Sequence, residues 1–184
     1  MRVLIAGGGN VGTFVAAELA AAGHEVVMVE SDMERVSQMQ AAGDPPGVRW
    51  LTGDACEVSQ LAVAEPERCD VCVAVTGDDE DNLVISMLAK QEFGVPRVVA
   101  RVNNPKNEWL FNPNWGVDIS VSTPHLLAGL VEEAVSVGHL VRLLSFEHGA
   151  ARLMEVTLAD DSPAIGQALA DLAIPRDATV VAVI

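Results

Sequence analysis

Short, unbroken apolar runs alternate with helix-patterned segments from the first residue, and this alternation limits what the chain can fold into. Residues 3–6, 25–29, 48–51, 70–75 and 97–102 read as strands, and 11–22, 32–41, 55–63 and 80–93 read as the helices between them. A strand that is apolar at successive positions, not at alternate ones, is buried on both faces. That is the condition of a parallel sheet with crossover helices on each side. Right-handed crossovers then make a doubly wound α/β fold the economical topology.

Beyond residue 102 the pattern changes. Residues 103–115 are polar, carry Pro105, Trp109, Pro113 and Trp115, and read as a short helix with loops; 116–121 read as a sixth strand. Thr123-Pro124 supplies an N-cap and a first-turn proline. The helix it opens runs to about residue 137, with Leu126, Leu127, Leu130, Val131, Ala134 and Val135 mostly three and four residues apart. From 138 onward, strands at 140–146 and 152–158, a short helix near 166–172 and a strand at 180–184 are expected, forming a small α+β lobe. With its last apolar run reaching the final residue, that lobe reads as truncated. The expected organisation is a nucleotide-binding domain at 1–122, a crossover helix at 123–137 and a partial C-terminal lobe at 138–184.

Composition excludes several classes of function. Eleven Lys and Arg stand against 26 Asp and Glu, a formal net charge of −15. Such a balance opposes non-specific nucleic-acid binding, which needs cations to neutralise phosphates, and it disfavours docking on anionic lipid. No apolar run approaches the roughly 18 residues of a membrane-spanning helix, and the apolar start is too short for a secretory signal. Three cysteines, Cys56, Cys69 and Cys72, fit a reducing cytoplasm.

The strongest chemical signal is Gly7-Gly8-Gly9-Asn10-Val11-Gly12, which satisfies G-x-G-x-x-G between a strand and a helix. Gly7 permits the tight turn, Gly9 lets a pyrophosphate approach the backbone, and Gly12 allows close helix–strand packing; the helix N-terminus offers free N–H groups. Glu30 ends the second strand at about the 20-residue distance at which the fingerprint places an acid for the ribose hydroxyls. A carboxylate there repels a 2′-phosphate, which favours NAD over NADP. Ser31 with Glu34 reads as a capping box, or Ser31 and Asp32 border the ligand. Asp54, in Gly53-Asp54-Ala55, is either a helix N-cap or the border of the adenine. Val75-Thr76-Gly77 ends the fourth strand at the ligand edge. Asp78, Asp79, Glu80 and Asp81 complement the following helix dipole. Arg101, closing the fifth strand, either reaches a phosphate or pairs with an acid.

No catalytic constellation accompanies this site. Cys69-x-x-Cys72 has no second pair and falls partly in a core strand, so it reads as inert core thiol. His24, His125, His139 and His148 are scattered. The chain has no Tyr, which rules out a Tyr/Lys pair of short-chain dehydrogenase type, and too few residues follow the sixth strand to build a substrate domain. Sensing is the favoured function. The rivals are a small NAD-dependent oxidoreductase and a redox-sensing transcriptional regulator, the latter lacking any basic recognition helix.

Taken together, several segments resemble the RCK/KTN family, the TrkA-N/TrkA-C regulatory subunits of Trk/Ktr-type potassium uptake systems. They are Gly7–Gly12 after Arg2-Val3-Leu4-Ile5, Gly53-Asp54-Ala55, and Val75-Thr76-Gly77-Asp78-Asp79-Glu80 with Asn82. Further along are Ala100-Arg101-Val102-Asn103-Asn104-Pro105 and Gly116-Val117-Asp118 leading to Thr123-Pro124. The resemblance spans essentially the whole chain. It implies a cytoplasmic, non-catalytic protein that binds NAD(H) or ADP/ATP and gates a membrane potassium-translocating subunit. It further implies a homodimer assembling to an octameric ring, the crossover helix packing on a second subunit. By matching positions it places Gly7 to Val11, Glu30, Asp54, Val75, Thr76 and Arg101 on the nucleotide. Some relatives carry Arg after the second motif glycine, where it reaches a terminal phosphate. Here the residue is Asn10, which speaks against specific ATP sensing and leaves NAD(H) or ADP. The family's C-terminal lobe continues beyond the last residue here.

Overall fold

Six parallel strands form one sheet in the order β3-β2-β1-β4-β5-β6. They are β1 (Arg2–Ala6), β2 (Glu25–Glu30), β3 (Val48–Thr52), β4 (Val71–Ala74), β5 (Arg97–Val102) and β6 (Ile119–Ser122). The helices are α1 (Asn10–Ala21), α2 (Met33–Ala41), α3 (Val58–Leu61), α4 (Asp79–Met87) and α5 (Thr123–Val135). An antiparallel pair follows, β7 (Leu140–Phe146) with β8 (Ala151–Val156), its register shifting between Arg142 and Leu144. This computed structural model describes residues 1–41, 43, 47–135, 140–146 and 151–183.

The unbroken apolar runs are explained by burial on both faces. On one face Leu4, Ala6, Val27 and Val29 pack with Leu61, Leu83 and Ile85 of α3 and α4. On the other, Val3, Ile5, Val26 and Met28 pack with Ala16 of α1 and Val36 of α2. Leu4, Ile5 and Met28 are fully buried, each such side chain worth about 1.5–3 kcal/mol over exposure. Strand order reverses between β1 and β4, so their onward connections diverge to opposite faces and open a crevice at the carboxyl edge. Ligands of such sheets sit in that crevice.

Several boundaries differ from the sequence reading, each for a local reason. Helix α3 begins at Val58, not residue 55, because the Asp54 carboxylate accepts from the Cys56 N–H (2.9 Å) in a turn and Glu57 is extended. Asp54 therefore caps a turn and not a helix. The helix expected at 80–93 becomes α4 followed by a π turn, Leu88–Glu92, closed by the Phe93 N–H on the Leu88 carbonyl (3.1 Å). Strand β6 starts at Ile119 because the Asp118 side chain takes the Val98 N–H (2.7 Å) and the Lys90 ammonium (2.8 Å). The short helix expected in 103–115 resolves into two 3₁₀ segments, Pro105–Leu110 and Pro113–Trp115.

Two caps are corrected by one residue. Asp32, not Ser31, caps α2: its Oδ1 accepts from the Glu34 N–H (2.9 Å) and the Arg35 N–H (3.2 Å), while the Ser31 hydroxyl turns to Glu30. Ser122, not Thr123, caps α5, its hydroxyl accepting from the His125 N–H at 3.4 Å. In the C-terminal region the helix expected near 166–172 is a single 3₁₀ turn, Leu169–Asp171, because Gly166 is left-handed and Ala168 extended. Residues 180–183 are not a strand; no ladder partner takes their backbone groups among the described residues. Residues 136 and 137 of the expected helix, and Ile184, lie outside the described residues.

Candidate functional site

Strand β1 ends in the middle of the sheet beside β4, and the chain turns through three glycines into α1. Gly7 is left-handed (φ +108°), and a Cβ there would lie 2.9 Å from the Thr76 nitrogen. Gly12 sits against the turn itself, where a Cβ would come within 1.9 Å of the Gly7 carbonyl oxygen. Both are required by the chain's own packing. Gly9 is different. Its backbone is extended (φ −67°, ψ −177°), a conformation any residue adopts. A Cβ on it would meet one atom within 4 Å, Nη1 of Arg35 at 3.7 Å. Nothing among the described residues demands a glycine at this position.

Gly9 opens instead onto a cavity of about 710 Å³ at the carboxyl edge of β1–β5. It is also the N-cap of α1, and no side chain among the described residues caps that helix. The first N–H groups of a helix have no intrahelical partner, so those of α1 present partial positive charge to whatever lies over Gly9.

On the β2 side, the Glu30 carboxylate accepts from the Gly8 N–H (2.6 Å) and the Asp32 N–H (2.9 Å), which fixes it against the turn. Arg35, on the first turn of α2, donates from Nη1 to the Gly8 carbonyl at 3.3 Å. Beyond β3, the Asp54 N–H donates to the Gln60 side chain (2.8 Å), setting Asp54, Ala55 and Cys56 along the wall. On the β4 side, the Thr76 N–H donates to Asn82 Oδ1 (2.9 Å), and Asn82 Nδ2 donates to the Arg101 carbonyl (2.9 Å). The fully buried Asn82 thus ties the ends of β4 and β5 together.

Asp79 has a role that its acidic neighbours do not share. Asp78 is the true cap of α4, accepting from the Glu80 and Asp81 N–H groups. Asp79 turns inward and is buried, its carboxylate accepting from the Asn103 N–H (2.6 Å), the Asn104 N–H (2.9 Å) and Asn107 Nδ2 (2.8 Å). Burial alone would raise its pKa, but these donors prevail and hold it below the ordinary 3.8. Asp79→Ala removes the acceptor of two part-buried backbone N–H groups, one on half-buried Asn103 and one on exposed Asn104, and the expected loss is about 1–3 kcal/mol at pH 7 in urea denaturation. Because the folded pKa is the lower one, the contribution is complete above pH 3.8 and is lost as pH falls through the folded value. The difference between the parent and Asp79→Ala should therefore shrink in acid.

The titratable side chains around the cavity are Glu30, Asp32, Asp54, Asp81, Arg35, Arg101 and Cys56. Burial, then the charges of Asp81 and Asp54, push the Cys56 thiol up to about 12, which makes it a neutral wall and not a nucleophile. Burial likewise raises Cys69, and raises Cys72 to about 12, in keeping with inert core thiols. Neither arginine has a carboxylate partner among the described residues. Nε of Arg101 is buried with no hydrogen-bond acceptor among the described residues. An orphaned guanidinium N–H costs about 1–3 kcal/mol or more, so the site as built suits an anion.

Of the residues singled out in the sequence, Gly7, Gly9, Asn10, Val11, Glu30, Ser31, Asp54, Ala55, Val75, Thr76, Gly77 and Arg101 all line this cavity. Gly8 lines an adjoining groove between α1 and α2, and Gly12 lies behind the turn. Gly53, read in sequence as part of the turn beside the adenine, also lines the cavity; sequence reasoning missed Arg35, Cys56, Asp81, Val29 and Ile85 in the lining. Arg35 carried a usable signal: it is three residues past the cap of the helix that follows the ribose-side acid.

A six-stranded parallel sheet ordered 3-2-1-4-5-6, with a glycine turn at the point of reversal, defines a Rossmann-type nucleotide-binding fold. Within that class the chain belongs to the TrkA-N domain family, whose model matches residues 3–123. Over 184 residues, all of this chain and 82% of the relative, it is 50% identical to the Trk system potassium uptake protein TrkA of Mycobacterium tuberculosis. Among solved structures, the TrkA-N domain of the inner membrane protein ybaL from Escherichia coli shares the fold. Its TM-score is 0.65 at 20% identity, covering 73% of this chain and 96% of that one. The GsuK channel bound to NAD gives 0.63 at 16% identity, over 78% of this chain and 25% of the channel.

Proposed function

We propose that this chain is a nucleotide-sensing regulatory subunit of a potassium uptake system, binding NAD(H) or an adenine nucleotide in the cavity over Gly9. The observation that carries this reading is Gly9 itself. It is a glycine that neither backbone conformation nor packing requires, at an uncapped helix N-terminus facing a cavity with an orphaned guanidinium. That combination fits a diphosphate. Potassium transport is supported by the 50% identity to a relative named for potassium uptake, and the nucleotide by the NAD-bound channel of the same fold.

In this reading Glu30 accepts from the ribose hydroxyls, the turn from Gly7 to Val11 holds the phosphates, and Arg101 supplies charge on the β5 side. Residues 1–122 form the sensing domain, and 123–137 the crossover to the lobe at 138–184. The exposed stripe Leu127, Leu130, Val131 and Val135 on α5 supports packing against a second copy of the chain, the first step towards a ring beneath the membrane partner. No helix among the described residues is long and apolar enough to cross a membrane; in this reading the membrane partner supplies the transport path. The wall of carboxylates, guanidiniums and a protonated thiol supports sensing over catalysis. The ligand shifts a population by binding one arrangement of the assembly more tightly.

Thermal unfolding with NAD⁺, NADH, ADP, ATP and no ligand tests the reading. At about 100 times the dissociation constant, stabilisation should be about 2.7 kcal/mol, a rise in Tm of roughly 5–10 °C. A rise with NAD⁺ or NADH alone marks a redox-linked sensor, and a rise with ADP or ATP an energy-linked one. No rise with any of the four rejects the assignment.

A further inference from the structure

We propose that Arg35 is the phosphate-recognising residue of the cavity, supplying the cation that the glycine turn itself lacks; this rests on the nucleotide reading above. The turn from Gly7 to Gly12 contains no charged side chain, and its one polar side chain is that of Asn10. Arg35 brings a guanidinium to it from α2. Nη1 faces the space over Gly9, 3.7 Å from where a Cβ would stand. That is the space a phosphate fills when it lies on the α1 N-terminus, so one of its oxygens there comes within ion-pair reach of Nη1.

The guanidinium is positioned but not consumed. Its single hydrogen bond among the described residues is from Nη1 to the Gly8 carbonyl. It forms no ion pair with Glu30, Asp32 or Glu34, although all three are close in sequence. Glu30 is kept away by its own bonds to the Gly8 and Asp32 N–H groups, and Asp32 by capping α2. The remaining guanidinium donors are thus free for a phosphate, in the fork geometry that suits one. Strand order sets Arg35 and Arg101 on opposite sides of β1. The two unpaired cations bracket the turn, and Arg35 holds the phosphate over Gly9.

The consequence is selectivity for phosphate and not for the nucleoside. Binding of adenosine, AMP, ADP, NAD⁺ and NADP⁺ by calorimetry to the parent, Arg35→Gln and Arg35→Lys provides the test. Arg35→Gln should weaken ADP by about tenfold or more, as expected for one charge-assisted contact, and leave adenosine unchanged. Arg35→Lys should recover part of the loss. Added salt should weaken ADP binding to the parent more than to Arg35→Gln, because screening acts on the charge that the variant lacks. Equal losses for adenosine and ADP would show that Arg35 merely shapes the turn. Unchanged ADP binding, or a loss seen with NADP alone, would also overturn the assignment, the latter placing the guanidinium at the ribose 2′ position. If the parent binds none of these ligands, the nucleotide reading fails first; if it binds and the variant binds equally, only this inference fails.

Discussion

Gly9→Val is expected to lower nucleotide affinity by at least about 100-fold while the chain keeps its fold. The structural half of the expectation follows from an extended backbone and an open Cβ position, met only by the movable end of Arg35. Placing a β-branched residue at an N-cap costs about 0.5–1 kcal/mol, a fall in Tm of a few degrees at this chain length. The functional half follows from what the new methyl groups displace. A phosphate over Gly9 would accept from the first N–H groups of α1, and hydrogen bonds to a charged group are worth about 1.5–3 kcal/mol each. Losing two of them exceeds 100-fold in affinity. Calorimetric titration with ADP and NAD⁺, alongside circular dichroism of the same samples, checks both halves. Retained affinity would move the phosphate away from this turn.

The sheet was legible in the sequence because parallel strands buried on both faces leave an unbroken apolar signature, and five of the six were bounded within a residue or so. The glycine turn was legible because its spacing encodes a strand–turn–helix junction. Missed features depend on side chains that turn back on the backbone. Asp54, Asp118 and Asp32 each take an N–H that a regular element would have used or left free, and each moves a boundary or a cap. Asp79 looks in sequence like one of four acids at a helix start, yet it holds the 103–107 loop from 24 residues away. Arg35 reaches the site because α2 crosses beside the turn; its place on the first turn of the helix that follows the ribose-side acid is the part of that relation the sequence carries. The terminal apolar run misled for the opposite reason. Hydrophobicity at 180–183 is a local property, whereas a strand needs a partner.

Gly12→Ala should do what Gly9→Val does not, and the contrast between the two separates packing from ligand contact within one motif. A single methyl at Gly12 would stand 1.9 Å from the Gly7 carbonyl oxygen and 3.1 Å from its carbon. Ordinary contact there needs about 3.4 Å, so either α1 rises off the sheet or the Gly7 peptide moves. Neither movement is free. Ala16 on α1 packs into the core with Ile5 and Val75, and the Gly7 N–H is fixed to the Val29 carbonyl at 2.9 Å. The expected destabilisation is about 3–5 kcal/mol, a large share of the 5–15 kcal/mol that holds a typical domain together. Urea denaturation of Gly12→Ala against the parent and Gly9→Ala measures it, with soluble yield as the readout if the variant does not fold. Nucleotide affinity should fall with stability in Gly12→Ala, because the displaced Gly7 peptide belongs to the phosphate turn. In Gly9→Ala affinity should fall alone. A Gly12→Ala protein as stable as the parent would mean that α1 does not seat on the Gly7 carbonyl, and the close helix–strand approach that aims the N-terminus of α1 into the cavity would have to be redrawn.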